Sequence, residues 1–158
     1  MDKFINDAKL EAIKAIEVKP TTSQDPRDRL VEVVGPPDIG PVINMLLFLS
    51  QPSALPSLAE SVWDRSGIDR DDHGYYYPNH YPDGTKEPVS ELRSNVWVFD
   101  PFGGKYVSPA DFEKLLTMYL NAVISGAERR HDSVSEKPWW SKFVSTVRKI
   151  ENRTDAEA

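Results

Sequence analysis

Residues 95–124 read NVWVFDPFGGKYVSPADFEKLLTMYLNAVI, and this stretch decides the fold. Val96–Phe99 is a run of β-branched and aromatic residues, which favours a strand that is apolar on both faces and central in a sheet. Asp100–Gly104 contains the proline and glycines that a tight reversal needs. A short return strand is therefore predicted at residues 105–107, at the edge of the sheet because it begins with lysine.

The helix signals around this stretch predict a helix-rich α+β protein. Ser108 offers an N-cap oxygen, followed by proline and then by a carboxylate three positions on. Leu30–Val34 is a further candidate strand, and we expect it to pair with Val96–Phe99. Apolar periodicity and turn residues predict helices at residues 3–18, 40–50, 57–65, 109–124 and 138–152. The strands at 30–34, 96–100 and 105–107 would form one small antiparallel sheet in a single domain of residues 1–153, with a frayed tail at 154–158.

Composition narrows the classes of function. The net charge of −6 disfavours nucleic-acid binding, since phosphate contacts need clustered Lys and Arg. An acidic chain attracts a basic partner, although a mildly acidic surface also simply maintains solubility. There are no cysteines, the start of the chain has no signal-peptide core, and the longest apolar run, Ile43–Leu49, is too short to span a bilayer. We therefore expect a cytoplasmic protein without membrane contact.

Residues 68–89 differ from the rest of the chain, because they are rich in aspartate, tyrosine and turn formers and lack clear periodicity. Long loops of this kind are often functional, and tyrosine is enriched at interfaces. The alternative is that the tyrosines pack on the protein's own sheet and the aspartates form turns. The candidate partner-binding residues are Asp69, Asp71, Asp72, Tyr75, Tyr76, Tyr77, Tyr81 and Asp83. If this loop docks beside the Gly103–Gly104 turn, the two form one surface.

Catalytic and metal-binding motifs are weak. Asp69, Asp71 and Gly74 echo the start of a calcium loop, but His73 and His80 stand where oxygen ligands are needed. The two histidines with nearby aspartates match no metal-ligand spacing. Nucleophile and phosphate-loop signatures are missing from the sequence. We therefore predict no catalytic residues, no metal ligands and no cofactor.

The sequence VWVFDPFGGKYVS at 96–108, followed by PADFEKLL, resembles the immunity proteins of bacterial toxin–immunity pairs. The second half also resembles the SMI1/KNR4-like immunity fold, where a strand and turn precede a helix that begins near a Phe-Glu pair, here Phe112–Glu113. The resemblance implies a cytosolic protein that binds and occludes a basic, nuclease-like toxin domain, and it assigns no functional residue. Two alternatives remain: a small metal-dependent hydrolase that uses His73 and His80, and an adaptor subunit of a larger assembly. The oligomeric state is not predicted.

Overall fold

The computed structural model describes residues 13–25, 27–78, 80–81, 94–130 and 134–157. Within these ranges the chain folds as α+β, as predicted, with six strands and four α-helices. The strands are β1 (Glu17–Pro20), β2 (Val31–Val34), β3 (Gly67–Arg70), β4 (His73–Tyr76), β5 (Val96–Asp100) and β6 (Gly103–Val107). The helices are α1 (Gly40–Phe48), α2 (Leu55–Asp64), α3 (Pro109–Arg129) and α4 (Trp140–Glu157).

The larger sheet is antiparallel, with the strand order β3-β4-β5-β6. The central position predicted for β5 and the edge position predicted for β6 are both confirmed. In β5, Val98 pairs with Tyr75 of β4 and with Lys105 of β6. Val96 and Val98 belong to the core, whereas alternation turns Trp97 and Phe99 towards the opposite, outer face.

Two strands form a separate antiparallel ribbon, β1-β2, which corrects two predictions. The pairing of β2 with β5 is wrong, because α1 packs against both strands and β2 pairs instead with β1. The helix predicted over residues 3–18 is wrong at its end, since Glu17–Pro20 is strand β1. The pairing of Val18 with Val33 of β2 decides the conformation at this end. The first ten residues of that predicted helix, 3–12, lie outside the described part of the chain.

Helix α1 lies at the centre of the molecule, as its apolar sequence suggests. Val42, Met45 and Leu46 are fully buried, and the helix contacts β2, β4, β5 and β6. Tyr119 of α3 reaches across to it and donates its hydroxyl hydrogen bond to the Leu46 carbonyl at 2.7 Å. Burial raises the pKa of Tyr119, so this phenol stays neutral and acts as a donor.

Helix α3 begins as predicted. Ser108 caps it by accepting the backbone N–H of Asp111 at 3.2 Å, and a proline follows the cap. The helix runs on to Arg129, beyond the predicted end at residue 124. Gly126 does not terminate it. A Cβ at Gly126 would lie 2.1 Å from the Leu30 carbonyl oxygen, so this glycine allows β2 to approach α3 closely.

The junction of α2, α3 and α4 contains a buried carboxylate. Glu113, 3 % exposed, accepts hydrogen bonds from Arg65 (Nε–Oε1, 2.8 Å) and from Arg153 (2.8 Å). The hydrogen bond that Arg65 donates to Glu113 is the largest cause of the raised pKa of Arg65. Arg65 also pairs with Glu157 at 2.6 Å.

Helices α4 and α2 differ from their predicted limits. The frayed tail expected from residue 154 is part of α4 as far as Glu157, because Thr154 is buried and Glu157 is held by Arg65. Helix α2 begins at Leu55, two residues before its predicted start, since Pro56 is tolerated in a first helical turn.

No single helix among the described residues is both long and apolar enough to cross a membrane. The segments Pro37–Phe48 and Pro52–Asp64 meet that test of length and composition only together, as a pair bent by 90°.

Candidate functional site

The segment that we predicted as a loop begins as a β-hairpin, in which Asp71 and Asp72 connect β3 and β4. Both aspartates have positive φ values, 51° and 62°. Two such residues between paired strands identify a type I′ turn, which normally prefers asparagine and glycine. The Asp69 carboxylate supports this turn, because its Oδ1 accepts the backbone N–H of Asp72 at 3.1 Å.

The three consecutive tyrosines divide between the two faces of the sheet. Tyr75 is fully buried and its hydroxyl contacts that of Ser61, while Tyr77 is 2 % exposed. Burial raises the pKa of both phenols. These two are core residues, which corrects the prediction that they belong to a binding surface. Tyr76 points the other way and is half-buried on the outer face.

A groove of about 510 Å³ opens on this outer face, between the β3–β4 and β5–β6 hairpins. Its size lies within the range of ligand-binding clefts, about 300–1,000 Å³. Both hairpins line it, so residues from the Asp/Tyr segment lie beside the Gly103–Gly104 turn. The lining residues are Asp69, Asp72, Tyr76, Trp97, Phe99, Asp100, Pro101, Phe102 and Gly103.

The floor and one wall of the groove are aromatic. The Tyr76 and Phe99 rings stack with their centroids 5.1 Å apart and their planes at 27°. Trp97 lies across Gly104, where a Cβ would come within 2.2 Å of the indole ring. At the tip of the β5–β6 hairpin, Phe102 is 94 % exposed. This phenylalanine contributes almost no buried area to the folded chain, so its contribution to stability is small.

The rim of the groove is acidic. Asp100 is satisfied within the protein, since Oδ1 accepts the N–H groups of Phe102 and Gly103 and Oδ2 accepts Asn44 Nδ2 at 2.8 Å. Asp69 Oδ2 accepts the Tyr76 hydroxyl at 3.2 Å. Burial, and then the Asp69 charge, raise the pKa of Tyr76, so the phenol remains a donor.

Asp72 differs from the other two carboxylates of the rim. Its side chain has no hydrogen bond or ion pair in the described part of the chain. Among the residues described as lining the groove there is no lysine or arginine. Within this described lining the carboxylates therefore face no cationic side chain, and a cation placed there would be attracted.

Two further predicted site residues, Asp71 and Tyr81, do not line the groove. Asp71 is exposed at the hairpin tip, and its carbonyl accepts a hydrogen bond from the His73 ring at 2.8 Å. Tyr81 is half-buried and donates its hydroxyl to the Asn95 carbonyl, at the approach to β5. Asp83 lies outside the described residues.

His73 and His80, the residues of the alternative hydrolase hypothesis, contact different parts of the fold. His73 stacks on Phe48 of α1, with ring centroids 4.0 Å apart and planes at 4°. His80 is exposed, and its backbone N–H bonds to the Tyr77 carbonyl at 3.1 Å. Within the described ranges no three or more His, Asp and Glu residues cluster as metal ligands do.

Sequence reasoning missed Phe99, Trp97 and Phe102 as site residues. The first two were assigned to a covered strand, and Phe102 to a turn. An aromatic residue at a hairpin tip has little to pack against, and this was the one available signal for Phe102.

A second groove, about 260 Å³ and more apolar, lies between Ile13, Ile16 and the α3 residues Leu115 and Met118. None of the predicted binding residues that the structure describes lines it.

No family model, curated protein or solved structure matches the chain. The resemblance to immunity proteins therefore stays a prediction, and the argument for function rests on the groove.

Proposed function

We propose that the chain is a protein-binding module that takes a basic segment of a partner protein into the groove between its two hairpins. One observation carries the proposal: a 94 % exposed phenylalanine and several carboxylates border the same concave surface, whose described lining contains no lysine or arginine. Interface centres are enriched in aromatic anchors, and charge complementarity selects and speeds the encounter.

The two parts of the groove would act at different stages of binding. The charges of Asp72 and Asp71 would steer a basic partner and raise the association rate, which depends on salt. Phe102 would then insert into the partner's surface and slow dissociation, since burial of one phenyl ring is worth roughly 1.5–3 kcal/mol.

We further propose, from the resemblance of residues 96–116 to immunity proteins, that the partner is a basic toxin domain in the cytoplasm. Binding would inhibit such a domain by occlusion, with no chemical step in this chain. The lack of cysteines supports, without requiring, a reducing compartment.

The test is titration calorimetry and stopped-flow binding of the purified chain to the protein encoded by the neighbouring gene. Asp71→Asn with Asp72→Asn should lower the association rate and flatten its salt dependence. Asparagine suits the left-handed turn, so the fold should survive. Phe102→Ala should weaken binding about tenfold or more, mainly through faster dissociation.

The matched control is Asp38→Asn with Asp155→Asn. It removes the same charge from exposed sites elsewhere, on the turn before α1 and on α4. Equal loss of binding in the control and the hairpin variant, or full binding by Phe102→Ala, would contradict the proposal.

A further inference from the structure

We infer that the groove selects arginine over lysine, with the guanidinium plane resting on the Tyr76–Phe99 ring pair and its edge facing Asp72. The inference rests on the proposed function, because it names the side chain that the basic partner inserts.

Tyr76 and Phe99 stack on each other, and the outer ring face of this stacked pair is the platform on which a planar cation can rest. Tyr76 and Phe99 lie on neighbouring strands and on the same face, since Tyr76 pairs with Trp97 and Phe99 pairs with Gly74. Their planes are inclined by only 27°, and both side chains are half-buried. Glycine at position 74 leaves no side chain directly opposite Phe99. A planar cation stacks on such rings, whereas an ammonium group interacts with them as a point charge.

The carboxylates beside the platform differ in availability. Both oxygens of Asp69 already accept a hydrogen bond, one from the Asp72 amide and one from the Tyr76 hydroxyl. These bonds fix the hairpin and the ring in place before a partner arrives. Asp72 keeps both carboxylate oxygens without a partner among the described residues. Two free oxygens match the parallel N–H donors of a guanidinium, and lysine offers no such fork.

The test compares three short peptides by NMR titration of the full chain, followed through the backbone amides of Tyr76 and Gly103. The peptides are acetyl-Gly-Arg-Gly-Arg-Gly-amide, its lysine counterpart of equal charge and its neutral citrulline counterpart. We expect the arginine peptide to bind at least about tenfold more tightly than the lysine peptide. The citrulline peptide, which keeps the planar shape without the charge, should bind weakest.

Variants locate the preference. Phe99→Leu should reduce the arginine–lysine ratio towards one while leaving charge-driven binding. Asp72→Asn should weaken both basic peptides and the arginine peptide more. Tyr76→Phe keeps the ring and removes only the hydrogen bond to Asp69, so it should retain the preference for arginine. This second variant probes the same ring pair if Phe99→Leu does not fold.

The outcomes distinguish the arginine selectivity from the proposed binding of a basic partner. Equal binding of the arginine and lysine peptides, weakened by Asp72→Asn, would overturn the arginine selectivity and keep the basic-partner groove. An arginine preference that survives Phe99→Leu would overturn the platform. If neither basic peptide binds at millimolar concentration, both the selectivity and the proposed function are wrong.

Discussion

Replacement of the Asp71–Asp72 turn by Asn-Gly should stabilise the fold and weaken binding at the groove. Both aspartates hold left-handed backbone, at φ 51° and 62°. Ordinary L-residues lose roughly 1–2 kcal/mol in that region, and aspartate somewhat less. Asn-Gly is the preferred pair for this turn, and the change also removes two adjacent like charges.

The expected gain is modest, because glycine also gains freedom in the unfolded chain. That effect offsets roughly 0.4–1 kcal/mol of the relief. A net stabilisation of about 1 kcal/mol remains, which corresponds to a rise in Tm of roughly 2–4 °C for a chain of this size. Urea denaturation followed by circular dichroism measures it, with an unchanged m-value as the sign that the surface exposed on unfolding is the same.

Arg65 provides an internal contrast, since it also has a positive φ, of 51°. Arg65→Gly should relieve the same backbone cost yet destabilise the protein, because the side chain is bonded to the buried Glu113. If Asn-Gly lowers stability, or if Arg65→Gly raises it, the assignment of uncompensated backbone cost to the turn at the groove is refuted.

Three further predictions concern the core. Gly126→Ala should destabilise the fold by about 2 kcal/mol or more despite better helix propensity, because its Cβ would meet the Leu30 carbonyl; Gly40→Ala, in open helical space, should be neutral or stabilising in the same urea titration. Glu113→Gln should cost roughly 2–4 kcal/mol, below the value for a fully buried pair because one arginine partner is 40 % exposed; thermal unfolding measures it. Above about pH 10 the free energy of unfolding should fall, because burial raises the pKa values of Tyr75, Tyr77 and Tyr119 in the folded state, so that these phenols ionise first in the unfolded chain. The slope is about 1.4 kcal/mol per pH unit for each tyrosine. Ultraviolet absorbance of tyrosinate should show their ionisation only together with unfolding.

Local sequence signals predicted much of this architecture. The strand at Val96–Phe99 and the cap at Ser108 each depend on residues within a few positions, and both are confirmed. The failures depend on contacts distant in sequence. Gly126 looks like a helix stop until the approach of Leu30 is known. The β3–β4 hairpin was missed because Asp-Asp is a poor turn signal and Gly67–Arg70 has no apolar alternation.

The site was predicted only in part, because strand pairing also depends on contacts distant in sequence. Asp69, Asp72 and Tyr76 were identified by residue type and do line the groove. The strand register sends Tyr75 and Tyr77 to the core, and the register could not be read from an all-tyrosine run. Phe102 joins the site only through the pairing of β4 with β5, which brings two hairpins together.

The left-handed backbone at Arg65 and that at Asp71–Asp72 differ in the contacts that offset their cost in stability. At Arg65 the left-handed backbone is accompanied by a buried ion pair that joins three helices, so the cost is matched by stabilisation of the same fold. At Asp71 and Asp72 the turn has the hydrogen bonds of Asp69 and of the His73 ring but no ion pair among the described residues, and nearby Phe102 is almost wholly in solvent. These features come from separate segments, and each is unfavourable or neutral for the isolated chain. Their convergence on one groove is difficult to explain by folding alone, whereas a basic partner that covers the phenyl ring and neutralises the carboxylates would make each of them favourable in the complex.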